Sequence, residues 1–153
     1  MAITTNKNFL SPVGFQFKLE AEKYQNINYF CTAVTVPDVS LSEVPAPYKG
    51  TNMAFTGDRL NFGNLSIRFN ITENMENYIE TFDWLHNCIN EGESFKSDGT
   101  LLILSSHNNV TKEILFRDLF PTNLSAVEFS TQQTEVEYLQ ADVTFKYTYF
   151  EFK

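Results

Sequence analysis

Residues 137–152 read Glu-Tyr-Leu-Gln-Ala-Asp-Val-Thr-Phe-Lys-Tyr-Thr-Tyr-Phe-Glu-Phe. Leu139, Ala141, Val143, Phe145, Tyr147 and Tyr149 fall on one side of an extended chain, and Gln140, Asp142, Thr144, Lys146 and Thr148 on the other. Successive side chains of a strand point to opposite faces, so this period of two describes a strand with one apolar and one wet face. An ordinary strand has about 5–6 residues. One running through the whole of 137–152 belongs to a barrel, to a strongly bent sheet, or to a sheet continued into a neighbouring molecule.

Other segments repeat the pattern. Phe15, Phe17 and Leu19 alternate with Gln16 and Lys18, and Leu65, Ile67, Phe69 and Ile71 alternate with Ser66, Arg68 and Asn70. Residues 29–36 are dense in aromatic and β-branched side chains and end at Pro37. Residues 101–104 and 112–116 read as a hairpin around His107-Asn108-Asn109, because Asn tolerates turn conformations. Phe and Tyr, 15 and 7 in number, suit such half-buried pleated surfaces.

One helix interrupts the strands, over about residues 75–90. Asn74 is its candidate N-cap, and Met75, Tyr78, Ile79, Phe82, Leu85 and Ile89 recur at helical spacing. Gly92 stands where a C-terminal stop belongs. Trp84 lies off this apolar stripe, so it is either a second packing surface or a contact with another subunit. Residues 40–64 carry Pro45, Pro47, Gly50, Gly57 and Gly63 with few periodic apolar positions. They read as a long irregular loop, a kind of segment that is usually functional. No boundary or repeat divides residues 1–153, which read as a single domain. The fold class expected is mainly β, two packed and mostly antiparallel sheets as a sandwich or barrel, with one flanking helix.

Composition excludes several functions. The chain carries 19 acids against 11 bases, a net charge of −8. No Lys or Arg occurs between Arg68 and Lys96, or between Arg117 and Lys146. Nucleic-acid binders need a basic surface to displace counterions, so DNA that meets this protein is expected to be repelled rather than held. Cys31 and Cys88 allow one pairing at most and read as small buried apolar residues. No apolar run reaches the ~18 residues of a membrane span, and residues 1–10 lack a signal-peptide core. Synthesis and use without general secretion are the expectation.

Catalytic signals are weak. His86 and His107 are the sole histidines, with no metal-ligand spacing and no triad signature beside them. The glycines are scattered singly, so no phosphate loop is present. Glu135 and Glu137 read as solvated acids before they read as a catalytic pair. Tyr24, Tyr29 and Phe30 lack the interleaved basic residues of a base-stacking platform. No enzyme activity, cofactor or metal is expected.

The order of elements, from Phe9 to Phe152, resembles the tail tube proteins of contractile-tailed phages. The resemblance rests on an opening strand at Pro12-Val13-Gly14-Phe15-Gln16-Phe17, the run Cys31-Thr32-Ala33-Val34-Thr35-Val36-Pro37, and Phe55-Thr56-Gly57-Asp58-Arg59. Phe82-Asp83-Trp84 on the helix, Val110-Thr111-Lys112-Glu113-Ile114, and Leu119-Phe120-Pro121-Thr122-Asn123 complete it. The resemblance implies subunits in six-membered rings, each lending strands to a shared barrel, with rings stacked into a tube inside a sheath. The implied partners are copies of this chain, a tail sheath protein, a baseplate tube initiator, a tail terminator, and DNA in passage. The implied place is a virion tail made in the bacterial host cytoplasm. Type VI secretion tubes and related injection machines share the architecture.

These expectations assign residues. Gln140, Asp142 and Thr144 are the lumen candidates. With Glu128, Glu135 and Glu137 they would make a negative channel along which DNA slides, although ordinary solubility charge gives the same pattern. Tyr48, Phe55, Asp58, Arg59 and Trp84 are candidates for contacts between rings or subunits. A baseplate tube initiator is the near alternative. A small-ligand-binding β-barrel is the alternative from another class, since long alternating strands also build ligand cups.

Overall fold

A computed structural model describes residues 9–20, 31–90, 96–135 and 137–153. The candidate helix stop at Gly92 and the aromatic residues Tyr24, Tyr29 and Phe30 lie outside the described residues. Among the described residues nine strands and one helix follow in order: β1 (Phe15–Leu19), β2 (Cys31–Thr35), β3 (Val39–Tyr48), β4 (Thr51–Phe62), β5 (Leu65–Asn70), α1 (Glu76–Asn90), β6 (Ser97–Leu104), β7 (Val110–Leu124), β8 (Gln140–Lys146) and β9 (Tyr149–Phe152). The architecture is mainly β, two antiparallel sheets packed as a sandwich with a flanking helix, as the alternating patterns predict.

The strands pair in the order β1-β6-β7-β8-β5-β2, with β9 also on β7 and every pairing antiparallel. The long strand β7 belongs to both layers. Its first half pairs with β6 and β9, and its second half with β8. β1 and β2 end the series without pairing to each other, so the described strands form no closed barrel.

The chain turns from one layer to the other at a bulge in β7. Phe116 and Leu119 both face the core, so Arg117 and Asp118 lie together between two inward residues. The register against β6 shifts by one residue here, between Ser97 and Gly99. Asp98 holds the extra residue in place. Its Oδ1 accepts the backbone N–H of Asp118 (3.1 Å), and its Oδ2 pairs with the Arg117 guanidinium (3.0 Å). Asp118 takes a left-handed φ of 60°. Thr148 matches it across the sheet, donating its N–H to the Arg117 carbonyl and its hydroxyl to the Asp118 carboxylate. A bulge re-aims a strand and increases its twist, which is what carries one strand around a sandwich corner.

This corner explains why 137–152 is not one strand. The pattern holds through β8, where Ala141, Val143 and Phe145 are fully buried. It breaks at Tyr147–Thr148, after which Phe150, not Tyr149, packs inward against Phe62, Phe116 and Tyr147. Of the three readings of its length, the strongly bent sheet is the one the chain adopts.

The core joins Phe17, Leu19, Leu65, Ile67, Phe69, Leu101, Ile114, Phe116, Leu119 and the inward residues of β8. The hairpin expected at residues 107–109 is present, closed by Ser105 and Asn109 with Asn108 at a φ of 62°. Cys31 and Cys88 are free thiols, half-buried and packed against the core. Burial pushes the Cys31 thiol up to about 11.

Two elements depart from expectation. Residues 40–64 do not form an irregular loop; most of them form β3 and β4, a two-stranded arm. Its turn is Lys49-Gly50, both residues at positive φ (45° and 79°), between paired Tyr48 and Thr51. Two central residues at positive φ match the strand twist of a hairpin. The helix begins at Glu76, and its first turn is capped by the Thr72 hydroxyl, which accepts the Glu76 N–H at 3.0 Å, rather than by Asn74.

Candidate assembly interface

The arm carries the expected contact residues to the surface. Tyr48 lies beside the turn and Phe55 on β4, each about half exposed. Val39, Leu41, Val44, Met53 and Leu60 are similarly exposed, so apolar side chains are spread along the arm. Asp58 and Arg59 approach each other at 3.8 Å with side chains 91% and 83% exposed. Water screens such a pair almost completely, so it contributes little to stability. The arm is anchored at its base by Phe62, whose ring meets Tyr147 and Phe150 edge-on.

Trp84 is not a contact with another subunit. It is fully buried, its ring 5.4 Å from that of Phe145, and it belongs to the core. The helix is rotated from the expected orientation, with Tyr78 alone of the expected stripe among the side chains packed on the core. Its buried line is Asn77, Thr81 and Trp84. The apolar stripe Ile79, Phe82 and Ile89 faces outward, at 50%, 50% and 81% exposure. Asn77 makes a polar buried face tolerable. Its side-chain oxygen accepts the N–H groups of Thr72 and Tyr78, and its amide donates to the Asn70 carbonyl at 2.6 Å. Apolar periodicity finds a helix but does not say which surface it meets, so the outward stripe was legible as a pattern and not as an interface.

Gln140, Asp142 and Thr144 do share one face of β8, with the inward residues of that strand on the other. They stand beside Ser66, Arg68 and Asn70 of β5, paired in register. The face is not acidic as expected. Arg68 Nε meets Asp142 Oδ1 at 2.9 Å, and hydrogen bonding to Asp142 raises the already high pKa of the guanidinium. Gln140 donates to Asn70 at 3.1 Å. Glu128, Glu135 and Glu137 lie between β7 and β8 rather than on these strands, and Glu137 accepts a hydrogen bond from Gln133. The base-free stretch of sequence misled because a cross-strand partner, Arg68, sits 74 residues away.

A cleft of about 750 Å³ lies where β5 runs into the helix. Ile71, Met75, Leu139, Phe129 and Tyr138 line it, with Glu73 and Glu137. Phe129 and Tyr138 are 72% and 81% exposed. Nothing in the periodicity of residues 125–139 marks this cleft. Among the described residues no group of three His, Cys, Asp or Glu side chains is placed to hold a metal, and no helix is long and apolar enough to cross a membrane.

No family model and no curated protein matches the sequence. Solved structures do match. The tube-terminating cap of the anti-feeding prophage superposes with a TM-score of 0.77 at 14% identity, over 99% of this chain and 95% of the other. A chain of the PVC sheath-tube complex, from an extracellular contractile injection system in its extended state, superposes at 0.74 and 16%, over 99% of both. This is the fold of contractile-tube subunits. Hcp1 from Flavobacterium johnsoniae shares it at 0.56 and 13% identity, over 90% of this chain and 93% of that one. The likeness to these chains thus runs nearly end to end.

Proposed function

We propose that this chain is a structural subunit that assembles into six-membered rings, stacked as the inner tube of a contractile tail or injection machine. The observation that carries the reading is the end-to-end likeness to a chain of a sheath-tube complex, with 99% of each covered. Two surfaces support it. The arm and the outward stripe of α1 expose apolar side chains that burial against neighbours would stabilise. Among the described residues β1 and β2 each pair on one side only, leaving backbone groups that a ring of copies can satisfy.

In this reading the face of Gln140, Asp142 and Thr144 lines the channel. Its Arg68–Asp142 pair is internally compensated and the rest is mostly hydroxyl and amide. Such a lining offers a passing polymer, DNA in a phage tail, little to bind. Sheath protein, tube initiator and terminator are the further partners. The tube-terminating role is the second reading, and the likeness to the anti-feeding prophage cap favours it.

Negative-stain electron microscopy of the purified chain at rising concentration tests the proposal. Hollow stacked rings are expected of a tube subunit, and single unstacked rings of a terminator. A uniform monomer at every concentration, gaining thermal stability from a small ligand, would replace both with the binding-barrel alternative.

A further inference from the structure

The cleft beside the helix has a lining that assembly does not account for. Its volume of about 750 Å³ lies within the ~300–1,000 Å³ usual for small-molecule sites. Two of its lining segments are joined by the main chain, the Ile71 N–H donating to the Leu139 carbonyl at 2.9 Å. Ile71, Met75 and Leu139 are half-buried, while Phe129 and Tyr138 are mostly exposed.

Glu73 and Glu137 share this lining. Among the described residues neither has a basic partner, and Glu137 accepts a hydrogen bond from the neutral Gln133 amide instead. Two uncompensated carboxylates exclude an anion. The nearby start of α1 does not offset them, because its Glu76 N–H is already held by the Thr72 hydroxyl. Among the described residues no third ligand completes a metal site. A ligand here therefore meets negative charge together with apolar and aromatic surface. An organic ammonium answers both demands. Its charge is attracted to carboxylates and to the faces of aromatic rings, and its methylene groups gain from leaving water. The Met75 thioether adds a polarisable contact.

We propose that the cleft binds a linear aliphatic diamine. The methylene chain lies along Ile71 and Leu139, the ammonium groups face Glu73 and Glu137, and the rings of Phe129 and Tyr138 flank the chain. The site lies within one chain and goes beyond the tube reading, on which it does not depend. Exposed ion pairs alone contribute little, so the aromatic and apolar contacts carry much of the affinity.

Titration calorimetry of the full chain with diaminopentane tests this, at about 0.15 M salt, where attraction beyond ~8 Å is screened. Saturable binding with a rise in melting temperature is expected. Phe129→Ala should weaken it about fivefold. The double variant Glu73→Gln, Glu137→Gln should weaken it about tenfold. All three positions are exposed, so the variants keep the fold. Magnesium, which has no apolar body, and Nα-acetyl-lysine amide, which has one ammonium, are both expected to bind more weakly. Absence of both heat and thermal shift with the diamine overturns the site. So does binding that magnesium matches or that the variants leave unchanged, which would reduce it to general attraction by a chain of net charge −8. Equal binding by the capped lysine overturns the diamine and assigns the cleft to a lysine side chain of another protein.

Discussion

Trp84, Asn77 and Tyr147 show how single side chains hold the helix and the corner. Trp84 is fully buried and meets Phe145 across the core. Truncation to Ala removes a large buried ring and leaves a cavity, so Trp84→Ala should cost about 3–5 kcal/mol in denaturant unfolding. An interface residue would show no such loss. Tyr147 is the opposite case. Its hydroxyl is buried without a hydrogen-bond partner among the described residues, and burial, then Asp38, pushes the phenol up to about 12. The folded chain thus keeps a proton that the unfolded chain releases near pH 10. Stability from this group is complete below pH 10 and is lost as pH rises towards 12. Tyr147→Phe removes an unsatisfied polar atom and keeps the ring, so its melting temperature should equal or exceed that of the natural chain. Its alkaline loss, followed by circular dichroism between pH 9 and 12, should be smaller. These roles were not legible in the sequence. Trp84 and Asn77 stand off the apolar stripe, and only the packed position of the helix reveals that the off-stripe side is the inner one.

At the scale of elements, the arm is the part most cleanly separable from the core. Almost all its residues are exposed, and only Phe62 at its base joins the aromatic packing of the corner. Replacing residues 43–56 by Asn-Gly should therefore leave the melting temperature within a few degrees while preventing assembly, as sedimentation would show. A fall of more than about 10 °C would mean that the arm supports the core, since such a fall corresponds to at least about 2.5 kcal/mol in a domain of this size. The arm also shows where sequence reasoning ran out. Strands are recognised by alternation, and alternation comes from having one buried face. Leu65 to Asn70 and Gln140 to Lys146 have one; the first was legible nearly to the residue, and the second as part of a strand expected to run on to Phe152. The arm has none in the single chain, and Pro45 and Pro47 imitate a loop although proline is tolerated on an edge strand. Lys112 to Phe116 was legible as the start of a strand. Its continuation to Leu124 was not, because the bulge at Arg117 and Asp118 inverts the pattern midway.

For the whole molecule, charge decides how copies meet. Each chain carries a net charge of −8, so the proposed rings and stacks would bring like charges together. Any compensating ion pairs between copies would be local, and an exposed pair contributes about 0.2–1 kcal/mol. Repulsion between whole subunits acts over the Debye length, which shrinks from about 30 Å at 0.01 M salt to about 8 Å at 0.15 M. Salt therefore removes more repulsion than attraction. Its effect on the apolar arm and helix stripe is in the same direction, because salts that are excluded from protein surfaces strengthen burial. Assembly of the purified chain should accordingly grow between 0.01 M and 0.3 M sodium chloride, and sulfate should promote it further. Light scattering at fixed protein concentration measures this directly. Stacks that dissolve as salt rises would show that ion pairs, not the apolar arm and helix surfaces, hold the copies together. In that case charge reversal at exposed basic side chains should be the dominant lesion, outweighing removal of the exposed apolar side chains Phe55 and Phe82.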